Sequence, residues 1–165
     1  MSDTARYLGI DIGISGAIAI MTDEGEILEI HEMPCLHDGP AGRQAVNAPL
    51  LASIVFNSHA TRAFIERVSS RPGEGGVQSF SFGRSAGVVE GVMGAAVIPC
   101  KFLTPPQWKR AVGLAPGRDK DASRAEAIRR WPKEAELFKR KKDDGRAEAC
   151  LIAMAGMITN QITGG

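Results

Sequence analysis

One carboxylate set inside an apolar hairpin constrains this chain more than any other feature. Residues 8–21, "LGIDIGISGAIAIM", spell a buried strand, a Gly-bounded turn and a second buried strand, and Asp11 is the one charged residue in the stretch. An ionised side chain in such an element is costly unless something pairs with it. The fold of this chain must therefore bring a partner to Asp11.

The remaining segments define the elements that surround it. A tight turn at "DEG" (residues 23–25) leads into "EILEIHEM", which alternates like a third strand with one wet face, so the front of the chain is an antiparallel meander. "CLHDGPAGRQAVN" reads as loop. "APLLASIVFNSHA" has apolar residues at helical spacing, with Asn47 as N-cap and Pro49 in the first turn. "RAFIERV" is a short apolar strand carrying Glu66, and "SSRPGEGG" is a Gly/Pro loop. A helix over "VQSFSFGRSAGVVEGVMGAA" follows, with a small-residue stripe at Gly83, Ala86 or Gly87, and Gly91. "VIPCKFLTP" is a fifth strand, "PPQWKRAVGL" a short helix, "GRDKDASRAEAIRRW" a basic helix, "PKEAELFKRKKDD" a charged connector and "GRAEACLIAMAGMITNQI" a terminal apolar helix. The order predicts an α/β fold in one domain over residues 1–165, with a five-stranded mixed sheet and helices on both faces.

Composition excludes several classes. No apolar run reaches the roughly 18–20 residues of a membrane span, and "MSDTARY" lacks the basic-then-apolar layout of a secretory signal. Cys35, Cys100 and Cys150 are widely spaced, and His31, His37 and His59 show no ligand spacing. They read as reduced thiols and surface or satisfied imidazoles of a cytoplasmic protein, not as a disulfide set or a zinc site. The net charge of +1 hides an asymmetry: residues 1–100 carry 6 Lys/Arg against 11 Asp/Glu, a balance of −5, and residues 101–146 carry 14 against 7, a balance of +7. A phosphate-backbone binder with a metal site has this layout, and so does a protein with one solvated charged face.

Four acids sit where acids are disfavoured. Asp11 ends the first strand, Glu66 lies in the strand beyond the first helix, and Asp144 and Glu148 open an apolar helix at i and i+4, on one face. Like charges at that spacing repel, so a helix that keeps both calls for a counter-ion. Asp143 is a further candidate, although i to i+5 points it away from Glu148. All-oxygen ligands suit hard cations such as Mg²⁺ or Mn²⁺. Two such ions about 3.5–4 Å apart would activate a water and stabilise the leaving oxygen in phosphodiester hydrolysis.

These residues resemble the RuvC-type Holliday-junction resolvases of the RNase H-like nuclease superfamily, nearly end to end. "GIDIGISGAIAI" resembles the family's opening strand with its first metal aspartate, and "FIERV" the strand with the catalytic glutamate. "FGRSAGVVEGV" is similar to the dimer-interface helix, "TPPQWKRAVGLAPGRDKDASR" to the stretch with two functional lysines, and "KKDDGRAEACLIAM" to the final metal-ligand helix. The resemblance implies an RNase H-like fold and a site built from Asp11, Glu66, Asp144 and Glu148 with Lys109 and Lys120. It also implies two Mg²⁺ or Mn²⁺ ions, and a homodimer through the 77–94 helix that resolves four-way DNA junctions by paired symmetric nicks. The family usually spaces its last two acids i and i+3; here the fit is i and i+4, which leaves Asp143, Asp144 or both as the ligand. Phage relatives vary in this way, so a bacterial or phage-infected cell is the expected setting. The family also holds an aromatic that probes the junction; Phe80 and Phe82 are nearby, and a core-facing or dimer-facing role is preferred for both over probing.

The basic residues sort by position. Lys109 at a helix start is mildly disfavoured by the helix dipole, and near metals it would offset charge on a scissile phosphate. Lys120 lies between acids that compete for it. Arg118, Arg124, Arg129 and Arg130 read as DNA-backbone contacts, with Arg71 and Arg84 from the other half. "KRKK" (139–142), containing Lys141 and Lys142, either grips phosphates or is a solvated linker, and Trp131 reads as a core anchor. Three alternatives stand beside the resolvase. A related nuclease acting on flaps, branched DNA or RNA–DNA hybrids would use the same acids. A catalytically silent DNA-binding module would keep none of them for chemistry. A sugar-kinase or actin-like domain shares the Gly hairpin, but needs a second lobe and has no use for Asp144 with Glu148.

Overall fold

The computed structural model describes residues 4–70, 72–117 and 119–163. Its first two strands, β1 (Arg6–Asp11) and β2 (Ala17–Thr22), pair antiparallel with Asp11 opposite Ala17, and β3 (Ile27–Glu32) continues the meander with a register shift at Ile20/Met21. The turn after β1 is tight: Gly16 N–H donates to the Gly13 carbonyl at 3.1 Å, Gly13 has a φ of +136°, and a Cβ on Gly16 would overlap the Asp11 carbonyl. Glycine is required at both positions.

A correction follows at residues 35–46, expected as loop. They form a small separate hairpin, β4 (Cys35–His37) with β5 (Gln44–Val46), closed by Asp38 N–H to the Arg43 carbonyl at 2.9 Å. Three-residue strands are too short to display alternation. The hairpin runs into α1 (Ala48–Ser58), whose N-cap Asn47 accepts from Leu50 N–H, with Pro49 in the first turn.

Next, β6 (Arg62–Glu66) lies parallel to β1, and β7 (Cys100–Leu103) lies parallel to β6, giving the five-stranded order β3-β2-β1-β6-β7. The long helix α2 (Gly76–Ala95) precedes β7, and α3 (Pro105–Ala111), α4 (Lys120–Arg130) and α5 (Asp144–Thr163) follow it. The charged connector between α4 and α5 is two 3-10 turns, Pro132–Phe138 and Lys141–Asp143. Strand alternation divides the interior in two. Leu8, Ile10, Ile18, Ile20 and Ile65 pack with Leu51, Val55, Val89 and Met93 of α1 and α2, while Ala17, Ala19, Met21 and Phe64 pack with α5, Trp108, Ala127 and Phe138. Helices thus cover both faces of a mixed sheet, as the element order requires. Among the described residues no helix is long and apolar enough to cross a membrane.

On the α5 face the contact is unusually close. A Cβ on Gly9 would overlap the Ala149 carbonyl, one on Gly156 would overlap the Phe64 ring, and one on Gly145 would sit 2.5 Å from the Ser15 carbonyl oxygen. The helix meets them with Ala147, Ala149 and Ala153, each fully buried. Because Gly9 and Asp11 share a face of β1, seating α5 on Gly9 brings its first turns over Asp11. Replacing Gly9 with alanine should lower the unfolding free energy by about 2–3 kcal/mol, since the obstructing atom is backbone. Urea unfolding reads this directly, and a loss under about 0.5 kcal/mol, the level of a surface substitution, would contradict so close a seat.

Candidate metal centre and its cleft

Three elements end at one place. Asp11 closes β1, Glu66 closes β6 and Glu148 lies on the second turn of α5; each offers a carboxylate oxygen, and the three oxygens lie within 4.8 Å of one another. Strand alternation explains the aim: Glu66 follows Phe64 onto the α5 face just as Asp11 follows Gly9. The group lies in a cleft of about 660 Å³, lined by the β1–β2 turn, the end of β6, α2, α3 and the start of α5. Asp144 lines this cleft too, with its Oδ1 accepting from Gly145 N–H at 3.0 Å.

Neighbours hold the carboxylates. Trp108 Nε1 donates to Glu66 Oε2 at 3.0 Å, and Ser123 Oγ donates to Glu148 Oε1 at 3.4 Å. Trp108 is 1% exposed, so its ring is fixed by the core and its N–H arrives pre-aimed. Sequence reasoning missed both contacts; the one available signal was that Trp108 adjoins Lys109. Lys109 lines the cleft and is only 9% exposed. Its Nζ donates to the Gly117 carbonyl and stands 5.4 Å from the centroid of the Trp108 ring. A buried ammonium is thereby satisfied by a carbonyl and an aromatic face beside three carboxylates.

Asp143 and Asp144 have different surroundings, and neither belongs to the three-carboxylate group. The Asp143 carboxylate is fully buried and gripped by Arg140, through the backbone N–H at 2.9 Å and the guanidinium Nη2 at 2.8 Å, with Arg146 at 3.9 Å. Those contacts, the Arg140 hydrogen bond above all, hold its carboxyl below the usual range. Asp143 caps the turn that launches α5, and Asp144 one residue on faces the cleft.

The other basic candidates divide. Arg84 pairs with Asp38 and so ties α2 to the β4–β5 hairpin. Arg124 pairs with Asp121 and donates to the Lys139 carbonyl at 3.0 Å, with its side chain 14% exposed. Arg129 and Arg130 both bind Glu126, at 2.7 and 2.6 Å, and hold its carboxyl below the usual range. Lys141 and Lys142 are exposed in the turn before α5, and Lys120 opens α4. Arg71, Arg118 and the Lys120 side chain lie outside the described residues. Phe80 and Phe82 are 74% and 44% exposed, which corrects the core-facing option; Phe82 lines the cleft. Trp131 is a core anchor, buried with its Nε1 donating to the Gly25 carbonyl at 2.8 Å.

No protein-family model and no curated protein matches the chain. Among solved structures, Thermus thermophilus RuvC matches at 14% identity and a TM-score of 0.59, with 96% of each chain covered. T. thermophilus RuvC in complex with Holliday junction substrate matches at 14% identity and a TM-score of 0.63, again over 96% of each chain. The chain has a RuvC-like fold, of the RNase H-like type.

The Asp143 cap makes a pH-dependent prediction. A carboxylate whose folded pKa is depressed adds stability above its unfolded pKa, and that stability disappears as pH falls through the folded value. Asp143→Asn should cost about 1–2 kcal/mol at pH 7, near the low end for a buried charged hydrogen bond because Arg140 is 54% exposed. The gap between wild type and variant should hold from neutral pH to about pH 5, then close below about pH 4. Chemical unfolding across pH 3–8 measures it; a gap that persists unchanged at pH 3 would contradict the ionic cap.

Proposed function

We propose that this chain is a divalent-metal-dependent endonuclease that resolves four-way DNA junctions as a homodimer. The observation that carries the reading is the convergence of Asp11, Glu66 and Glu148 oxygens within 4.8 Å, in an open cleft of a RuvC-like fold. The donor chemistry fits the ion: anionic oxygens alone, with neither sulfur nor imidazole in the group, suit Mg²⁺ or Mn²⁺. Asp11, Glu66 and Glu148 would hold it, with Asp144 on the same cleft wall. Bound there, two such ions would supply activation of a water and neutralisation of charge on the leaving oxygen.

The chain's own residues perform the rest. Trp108 anchors one oxygen of Glu66 and Ser123 one oxygen of Glu148, which orients both carboxylates. Lys109 sets a fixed ammonium at the cleft wall, where a phosphate gathers charge during hydrolysis. Lys141 and Lys142, exposed in the turn before α5, remain as cations for the DNA backbone, and the chain places Lys120 at the start of α4.

Support for the dimer comes from α2. Gly83, Gly87 and Gly91 recur every four residues on its exposed side, and an added Cβ at any of them meets nothing within 4 Å. A glycine row weakens a helix by about 0.5–1 kcal/mol per residue relative to alanine, so its presence on a surface fits a helix–helix contact. Two copies facing through α2 would give the two active sites that paired nicks require.

Cleavage of a synthetic four-way junction in Mg²⁺ or Mn²⁺ tests the reading, with linear duplex, a flap and an RNA–DNA hybrid as competitors. Paired symmetric nicks confined to the junction are expected. Asp11→Asn should reduce them at least about 10²-fold, as the loss of several kcal/mol of transition-state stabilisation implies. Flaps or hybrids cut as readily as junctions would leave the nuclease and remove the resolvase.

A further inference from the structure

The arginine that follows Glu66 lines the cleft and lies over an aromatic ring. Arg67 N–H donates to the Leu103 carbonyl at 2.8 Å, continuing the β6–β7 ladder one residue beyond the strand. Its guanidinium lies over the Phe102 ring, 5.0 Å from the centroid. Phe102 in turn packs against the core that contains Ile65 and Met93, so the platform is rigid. Alternation along β6 turns Glu66 to the α5 side and Arg67 to the α2 side, yet both line the same cleft. Lys109 lines that cleft from the α3 side. The cleft that holds the carboxylates is thus lined by two cations as well, Arg67 after β6 and Lys109 on α3.

Several of the chain's arginines are engaged differently from Arg67. Arg84, Arg124, Arg129, Arg130, Arg140 and Arg146 all pair with carboxylates of this chain. Among the described residues Arg67 enters no ion pair, and its side chain is exposed with its charge held in place by an aromatic face. A stacked guanidinium keeps its donor edges available while losing little rotamer freedom on binding. Beside a cluster of carboxylates, which repels a polyanion, such a group has an evident use.

We infer that Arg67 is a phosphate contact of the bound nucleic-acid strand, gripping the backbone on the α2 side of the cut while Lys109 faces it from the other. This rests on the nuclease reading but concerns binding alone. The contact is to the backbone, so it positions the strand without reading sequence.

Equilibrium binding of fluorescent four-way junction and linear duplex, measured in Ca²⁺ across 50–200 mM salt, tests it without any cleavage. Wild type, Arg67→Gln and Arg67→Lys are compared. Loss of one phosphate contact should reduce the slope of log K against log salt by about one unit, with equal weakening on arms of different sequence. Arg67→Lys should recover most of the slope, because the charge stays even where the stacked plane is lost. An Arg67→Gln slope equal to wild type overturns the inference, whatever the junction preference. A wild type that binds duplex and junction alike would count against the junction reading alone, and the slope on duplex would still decide Arg67. No measurable binding of either DNA by the wild type would overturn both.

Discussion

The site depends on how closely α5 can approach β1. Helix on sheet usually leaves room for a layer of side chains, and here that layer is thinned to glycine and alanine: Gly9 beneath Ala149 and Ala153, Gly145 against the Ser15–Gly16 turn, Gly156 against Phe64. The short separation brings a carboxylate on the helix within 4.8 Å of carboxylates on two strand ends. A helix held farther out by larger side chains would keep the same acids and lose the cluster. The seat is reinforced at the helix start, where Asp143 closes the preceding turn on Arg140 and Arg146.

Convergence of this kind opposes stability. Two ionised carboxylates about 4.8 Å apart repel by roughly 3–4 kcal/mol at an effective dielectric of 20, and three of them make three such pairs. Surrounding donors offset part of it: the Trp108 indole, the Ser123 hydroxyl, and Lys109 along the cleft wall. A folded protein keeps such an arrangement where function calls for it, and a divalent cation relieves it outright.

What the sequence disclosed, and what it withheld, follows from the range of each interaction. Asp11, Glu66 and Glu148 were legible because each interrupts a local apolar pattern, and the strand and helix periods put them on definite faces. The five strands and the helices were legible for the same reason. The β4–β5 hairpin was not, since three residues per strand carry no period. Spacing favoured Asp144 over Asp143 beside Glu148, but the grip of Arg140 on Asp143 depends on how the preceding turn enters the helix, which spacing does not show. Trp108 and Ser123 escaped because their reach to Glu66 and Glu148 depends on where α3 and α4 dock, contacts 42 and 25 residues away in the chain. The pairing of Arg129 and Arg130 with Glu126 was within reach of sequence, being i,i+3 and i,i+4 on one helix. Local spacing of that kind was the signal that these arginines serve the helix.

Asp11, Glu66 and Glu148 are proposed to hold a divalent metal ion. Crystals of the wild-type protein soaked in Mn²⁺ and recorded at the manganese edge test it most directly. The account predicts anomalous density between Asp11, Glu66 and Glu148, with Asp144 bordering it and Asp143 still bound to Arg140. A cleft without anomalous density at millimolar Mn²⁺, or manganese held by Asp143 in place of the three, would contradict it.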